Sequence, residues 1–341
     1  MSAFVALSGA FFVACGSLPN DLPRAVSATS LEHNVPIRGV VSAPLLSEAV
    51  DDATSRLVNW PEFGLIPSGG RFNPNERILT PANAHRLHVR WSEFTGCGSN
   101  GICGGSSATL VNGVVYLGSY DGNVYAFNAA TGAKLWSFLT GDKIGSTPAV
   151  SNGVVYVGSG DGNVYALNAT TGAKQWSFSA ACPPFVCGVF SSPAVVHGVV
   201  YIGSDNSKFY ALDAATGKKL WSFATHIAVD SSPAVANGVV YFGSYDGVYA
   251  VNAATGAKLW LFANNGVFSS PAVVDGVVYF GSSDGNVYAL RAATGAKLWS
   301  YNTNGEVNSS PAVAHGVVYV GSYFDDHVYA LRASTGVKLW S

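Results

Sequence analysis

Seven of the eight tryptophans, Trp91, Trp136, Trp176, Trp221, Trp260, Trp299 and Trp340, follow one another at intervals of 45, 40, 45, 39, 39 and 41 residues. Between these marks one text recurs with small edits, as in SSPAVANGVVYFGSYDGVYAVNAATGAKLW from Ser231 to Trp260. A repeat of this length is one supersecondary unit that cannot bury its own apolar faces, so neighbouring units must stack. Each copy has room for four short apolar runs, here SSPAV, GVVYFGS, VYAVNA and AKLWLF. Their brevity and their Val, Tyr and Phe content favour strands and leave no room for a long helix. Asn152-Gly153, His197-Gly198, Asn237-Gly238 and His315-Gly316 supply the positive-φ pair of a tight hairpin, and the Gly of AATG reverses the chain before the fourth strand.

Four-stranded sheets that are apolar on both faces become soluble when arranged as blades around an axis. The expected fold is therefore all-β, a β-propeller with four-stranded blades. Tyr at the VVY and VYA positions and Trp in the fourth strands read as packing between blades. Small residues in the SSPAV strands suit the innermost position. Lys134, Lys174, Lys219, Lys258, Lys297 and Lys338 would sit on outer edge strands and discourage edge-to-edge pairing. RLHVRWSEF at 86–94 reads as a lone N-terminal outer strand ahead of six complete repeats, which predicts a truncated or gapped seven-bladed ring. Residues 59–341 are assigned to the propeller. Residues 17–58 show no such pattern and read as a poorly ordered lead-in.

A formal net charge of -2 provides no long-range field for phosphate backbones, which argues against nucleic acid as a partner. Residues 1–16 are apolar and uncharged, suited to the core of a secretory signal but too short to span a bilayer. FVAC followed by Gly16 is similar to a lipobox, with Cys15 as the residue that would carry lipid; a lipid anchor is the one membrane contact expected. Cys97 and Cys103 form one pair and Cys182 and Cys187 another, each in a loop longer than its equivalents. Two local disulfides in an oxidising, extracytoplasmic compartment follow from that placement, whether periplasmic, cell-surface or secreted. No spacing suits a metal, and a monomer is expected.

VYALNAATGAKLW in its six versions resembles the tryptophan-docking motif of the PQQ-like β-propeller repeats, found in quinoprotein alcohol dehydrogenases and in the lipoprotein of the outer-membrane barrel-assembly machinery. The resemblance covers about 106 to 341. The acidic position of the motif is held here by Asn128, Asn168, Asp213, Asn252, Arg291 and Arg332, so side-chain capping of that turn is not uniform. For the dehydrogenases it implies PQQ, a Ca²⁺ held by acids and amides, a catalytic Asp and commonly adjacent cysteines. This chain has no Cys-Cys pair, and Asp121, Asp161, Asp246 and Asp284 are each the Asp of an Asp-Gly or similar tight turn. No cofactor and no catalytic residue are therefore expected, and a PQQ-dependent dehydrogenase or a degenerate relative is the alternative. GCGSNG at 96–101 matches a nucleotide-loop pattern in form only, because it follows no strand and opens no helix, and reads as a flexible loop.

When a repeat is nearly invariant, the letters that differ are free to encode a site. The residue before each inner strand is Gly105, Gly145, Phe190, Asp230, Phe268 or Asn308, and the turn positions Tyr120, Gly160, Asn206, Tyr245, Ser283 and Tyr323 vary as well. Strand alternation places both sets at one mouth of the central channel, beside the cysteine loops. Gly145, Phe190, Asp230, Phe268, Asn308, Tyr120, Tyr245 and Tyr323 form the candidate binding face, exposing aromatics among polar groups as a protein or glycan site would. The expected function is a non-catalytic exported scaffold of the bacterial cell envelope.

Overall fold

The computed structural model describes residues 63, 64, 66, 68–71, 87–99, 101–180 and 188–341. Cys15, Cys182, Cys187 and the segments assigned to 1–16 and 17–58 lie outside them. Among the described residues all regular structure is β, arranged as six four-stranded antiparallel sheets. The first blade runs Thr109–Val111, Val114–Gly118, Asn123–Asn128 and Lys134–Leu139 from the inside outward. The inner strands of blades 2 to 6 are Ala149–Ser151, Ala194–Val196, Ala234–Ala236, Ala272–Val274 and Ala312–Ala314. They neighbour one another in chain order, which places six blades side by side around a channel.

The register explains the spacing of the repeat. Thr109, Tyr116, Ala126 and Trp136 stand opposite one another across blade 1, and Ala234, Tyr241, Ala250 and Trp260 do so across blade 4. Large and small side chains thus alternate along each row, which lets adjacent sheets interlock. A bulge after the third-strand Ala shifts the register so that the lysine of the fourth strand reaches solvent.

Neighbouring blades are joined by three repeated contacts. The repeat tryptophans from Trp91 to Trp299 hand their indole N–H to the next blade: Trp136 Nε1 donates to Ala169 O at 2.9 Å, and Trp221 Nε1 to Ala253 O at 2.9 Å. The VVY tyrosine reaches the same carbonyl, as Tyr116 OH does at 3.1 Å from Ala169 O. A buried Ile or Val from the next blade, Ile144, Val189, Val229, Val267 or Val307, presses on the Gly that ends the second strand.

The two serines of SSP have separate tasks, which the sequence alone did not disclose. The first serves its own blade, Gly243 N donating to Ser231 Oγ at 2.6 Å. The second ties blades together, with Thr147 N, Ser192 N, Ser232 N and Ser270 N donating to Ser192, Ser232, Ser270 and Ser310 Oγ at 2.9–3.0 Å. A small hydroxyl side chain is needed because the inner strands converge and their backbone amides would otherwise be unpaired.

The N-terminal outer strand departs from expectation. Residues 87–96 form no strand, since no described strand lies beside them to supply a ladder. Trp91 nevertheless docks as its counterparts do, Nε1 donating to Ala129 O at 2.9 Å beneath Gly132. At the other end Trp340 packs on Tyr319 at 6.0 Å between centroids and stays 51% exposed.

Candidate functional site

The mouth is built where the loop entering each inner strand meets the turn of the preceding blade. Tyr245 packs edge-on against Phe268 at 4.3 Å between centroids. Ser283 Oγ donates to Asn308 Oδ1 at 3.1 Å, and Asn308 Nδ2 donates to Glu306 Oε2 at 3.0 Å. A Cβ on Gly145 would stand 3.5 Å from Phe190 and 3.9 Å from Tyr120. Lys143 Nζ lies 5.2 Å from the centre of the Phe190 ring. Tyr323, 41% exposed, meets Phe324, 68% exposed, edge-on at 4.7 Å. The two variable sets therefore interleave into one surface.

In blade 3 the correspondence differs from the sequence reading. Asp205, not Asn206, holds the turn position equivalent to Tyr245. Asn206 takes the role of the turn aspartates, its Nδ2 donating to Tyr210 OH at 2.6 Å. Counting from the shared serine would have found this, because Ser204 matches Ser119, Ser159, Ser244, Ser282 and Ser322.

The shift in alignment brings two carboxyls together. Asp205 and Asp230 approach each other across the blade boundary, each with a buried Oδ1 that no donor satisfies, and Gly188 N donates to Asp205 Oδ2 at 3.1 Å. Burial first, then the hydrogen bond and charge of Asp205, push the Asp230 carboxyl up to about 8. Burial followed by the charges of Asp230 and Asp205 also raises the Tyr245 phenol. Asp230 therefore favours its protonated form well above the ordinary aspartate range.

A pH dependence follows. With its folded pKa raised, Asp230 keeps a proton that the unfolded chain has already released, so its contribution to stability is full below the ordinary aspartate range and is lost as pH rises through about 8. Asp230→Asn carries no such proton. Its stability relative to the parent is expected to increase between pH 5 and 8.5, and thermal melts of both proteins showing a constant difference would refute the raised Asp230 carboxyl.

The turn aspartates have the structural role expected of them and a second one. Asp121 Oδ1 accepts from Asn123 N at 2.9 Å while its Oδ2 accepts from Tyr125 OH at 2.6 Å, and Asp161 and Asp284 repeat the arrangement. Burial and then the aspartate raise these phenols above the ordinary tyrosine range. Each carboxylate is thereby engaged within its own blade, and Asp161 Oδ2 also accepts from Gly141 N, in the loop leaving blade 1, at 2.7 Å. Arg291 and Arg332, in the acidic position of the docking motif, leave the backbone bonds Gly295 N to Arg291 O and Gly336 N to Arg332 O, both 2.8 Å, to close the turn.

Cys97 and Cys103 are joined by a disulfide. It closes a small antiparallel loop between the two cysteines, with Gly98 N donating to Ile102 O at 2.9 Å. That loop borders Tyr120, Asp142 and Lys143. A second depression of about 440 Å³ opens beside Tyr245, lined by Ile227, Phe262, Asn264 and Tyr288. Among the described residues no three His, Cys, Asp or Glu side chains converge.

The family model described as outer membrane protein assembly factor BamB matches residues 82–301 and 246–341. The chain belongs to the PQQ-like β-propeller family. Solved members of this fold include BamB from Moraxella catarrhalis, 22% identical with a TM-score of 0.64, covering 74% of this chain and 79% of that one. A quinohemoprotein alcohol dehydrogenase, ADHIIG from Pseudomonas putida HK5, is 20% identical with a TM-score of 0.65, over 80% of this chain and 57% of its own. A europium-containing methanol dehydrogenase is 15% identical with a TM-score of 0.64, over 74% and 72%. Comparison with curated protein sequences returns no significant match. PQQ-like propellers thus include an assembly factor and dehydrogenases, and at these identities the likeness establishes the fold.

Proposed function

We propose that the chain is a non-catalytic scaffold of the bacterial cell envelope that binds a protein or a glycan on its channel-mouth face. The observation that carries this reading is the interleaving of the variable residues, Tyr245 with Phe268, Asp205 with Asp230 and Ser283 with Asn308, into one surface on an otherwise uniform ring. Exposed aromatics beside hydrogen-bonding groups suit recognition. The assembly-factor description of the matching family supports a protein partner. The Cys97–Cys103 disulfide supports an extracytoplasmic location. The reading includes export through residues 1–16, lipidation at Cys15 and a monomeric chain without a cofactor.

The residues present do not fit PQQ. Asp205 and Asp230 are two carboxyls only, and among the described residues no third His, Cys, Asp or Glu joins them to build the oxygen shell that Ca²⁺ requires. Cys97 and Cys103 are six residues apart, in a loop beside blade 1. Residues 68–71 lie along the inner strands of blades 5 and 6, where they take up part of the channel.

The test is capture from envelope extract by photo-crosslinking through the Tyr323 position. Replacing Phe190, Asp230 and Phe268 together by Ala is expected to weaken the captured partner's affinity by roughly 30-fold or more if these are anchor residues. Undiminished capture would remove the mouth face from consideration. Glycan-array binding lost in the same variant would identify the partner as carbohydrate, and dye-linked alcohol oxidation with PQQ and Ca²⁺ would revive the enzyme.

A further inference from the structure

Gly64, Ile66 and Ser68 to Arg71 lie in a tight glycine turn, with Gly69 N donating to Ile66 O at 2.8 Å and Arg71 N to Gly64 O at 3.1 Å. The turn sits on the channel edge of two inner strands. Val273 N in blade 5 donates to Ser68 O at 2.8 Å, and Val313 N in blade 6 donates to Gly70 O at 3.1 Å. Between those carbonyls only glycine fits: Gly69 has a φ of +71°, and a Cβ there would lie 2.7 Å from Pro271 O. Arg71 completes the seat, its Nη1 donating to Pro311 O and Gly69 O at 2.9 Å each, with the Phe63 ring 4.6 Å from the guanidinium.

Nothing in this recognition depends on the turn being joined to the ring. The seat reads two carbonyls, one absent side chain and one guanidinium. Edges that accept main-chain carbonyls are a general means of holding a peptide. We infer that the channel edge of blades 5 and 6 is a peptide-binding seat, occupied in cis by residues 68–71 and open to a partner's turn of the same chemistry: adjacent small residues, glycine between the bonded carbonyls, then arginine.

The cis occupant is poised to leave. Arg71 is buried, its Nε has no hydrogen-bond partner, and no carboxylate among the described residues pairs with it. Burial alone lowers its guanidinium to about 9. A buried charge without a carboxylate opposes its own burial, so the backbone bonds and the Arg71 Nη1 bonds that hold the turn work against that cost. This seat lies in the channel and differs from the mouth face, so either assignment can fail alone.

The experiment uses the full chain with Gly69→Val, which unseats the cis turn, and a labelled peptide of sequence FGLIPSGGR, residues 63–71. The variant is expected to bind this peptide at least tenfold more tightly than the parent, in which the tethered copy competes at an effective concentration on the order of millimolar. A peptide with Val in place of the same glycine is expected to bind neither. A folded variant that binds both peptides alike, or neither, overturns the inference. Hydrogen exchange on the parent chain supplies a readout independent of the variant's folding. The Val273 and Val313 amides are expected to exchange at least tenfold faster than the ladder amides of the same blades, through release of the turn alone, and exchange locked to the ladder rate would overturn the inference.

Discussion

Alanine at Gly256 is expected to lower the unfolding free energy by about 2–5 kcal/mol, the sum of left-handed strain and overpacking. Gly256 has a φ of +72°, and a Cβ there would lie 2.7 Å from the Trp221 ring of the preceding blade. That ring cannot retreat easily, because its Nε1 is bonded to Ala253 O at 2.9 Å and its face lies against Phe209 at 6.2 Å between centroids. Gly238 is the internal control, with a φ of +75° and open space around the added atom. Gly238→Ala should show the strain alone, about 1–2 kcal/mol. Urea unfolding followed by tryptophan fluorescence measures both, and equal losses would mean that close approach to the indole contributes nothing.

The second large effect separates two tryptophans that occupy the same place in the repeat. Trp299 is 9% exposed and its Nε1 donates to Ala333 O at 2.8 Å, whereas Trp340 is 51% exposed and rests only on its own blade's Tyr319. Trp299→Ala should cost about 3–5 kcal/mol, the range for a large core aromatic, and Trp340→Ala about 1 kcal/mol or less. A cost at Trp340 matching that at Trp299 would show that the outer face of blade 6 is covered in solution. The cost at Trp299 tests whether indole docking is what couples blade to blade.

The mouth was only partly legible. Phe268 and Tyr245 could be placed together from the phase of the repeat, since every blade meets its neighbour at the same two loops. Asp205 could not, because blade 3 reads Ser-Asp-Asn-Ser where blades 1 and 4 read Ser-Tyr-Asp-Gly, and the eye aligns Asp and Asn on chemistry instead of on position. Its contact with Asp230 joins residues 25 apart in the chain across a blade boundary. Nothing local in either segment signals the raised Asp230 carboxyl, which arises from burial and proximity together. The channel turn was equally hidden. Ser68, Gly69, Gly70 and Arg71 look like ordinary linker residues until Val273 and Val313 are seen to donate to them.

What the sequence determined by itself is the blade. Period, strand alternation, Asn-Gly and His-Gly turns and the recurring Trp and Lys are local or nearest-neighbour features, and a repeat states each of them six times over. Asn152, His197, Asn237 and His315 all take the positive φ their turns demand. Tertiary structure decided what happens where blades meet: the serine ring, the Ile or Val knob against glycine, the carboxyl pair and the seated turn. Those contacts join residues that are distant in the chain, and their energies depend on desolvation and on angstrom-scale distances that no one-dimensional pattern encodes.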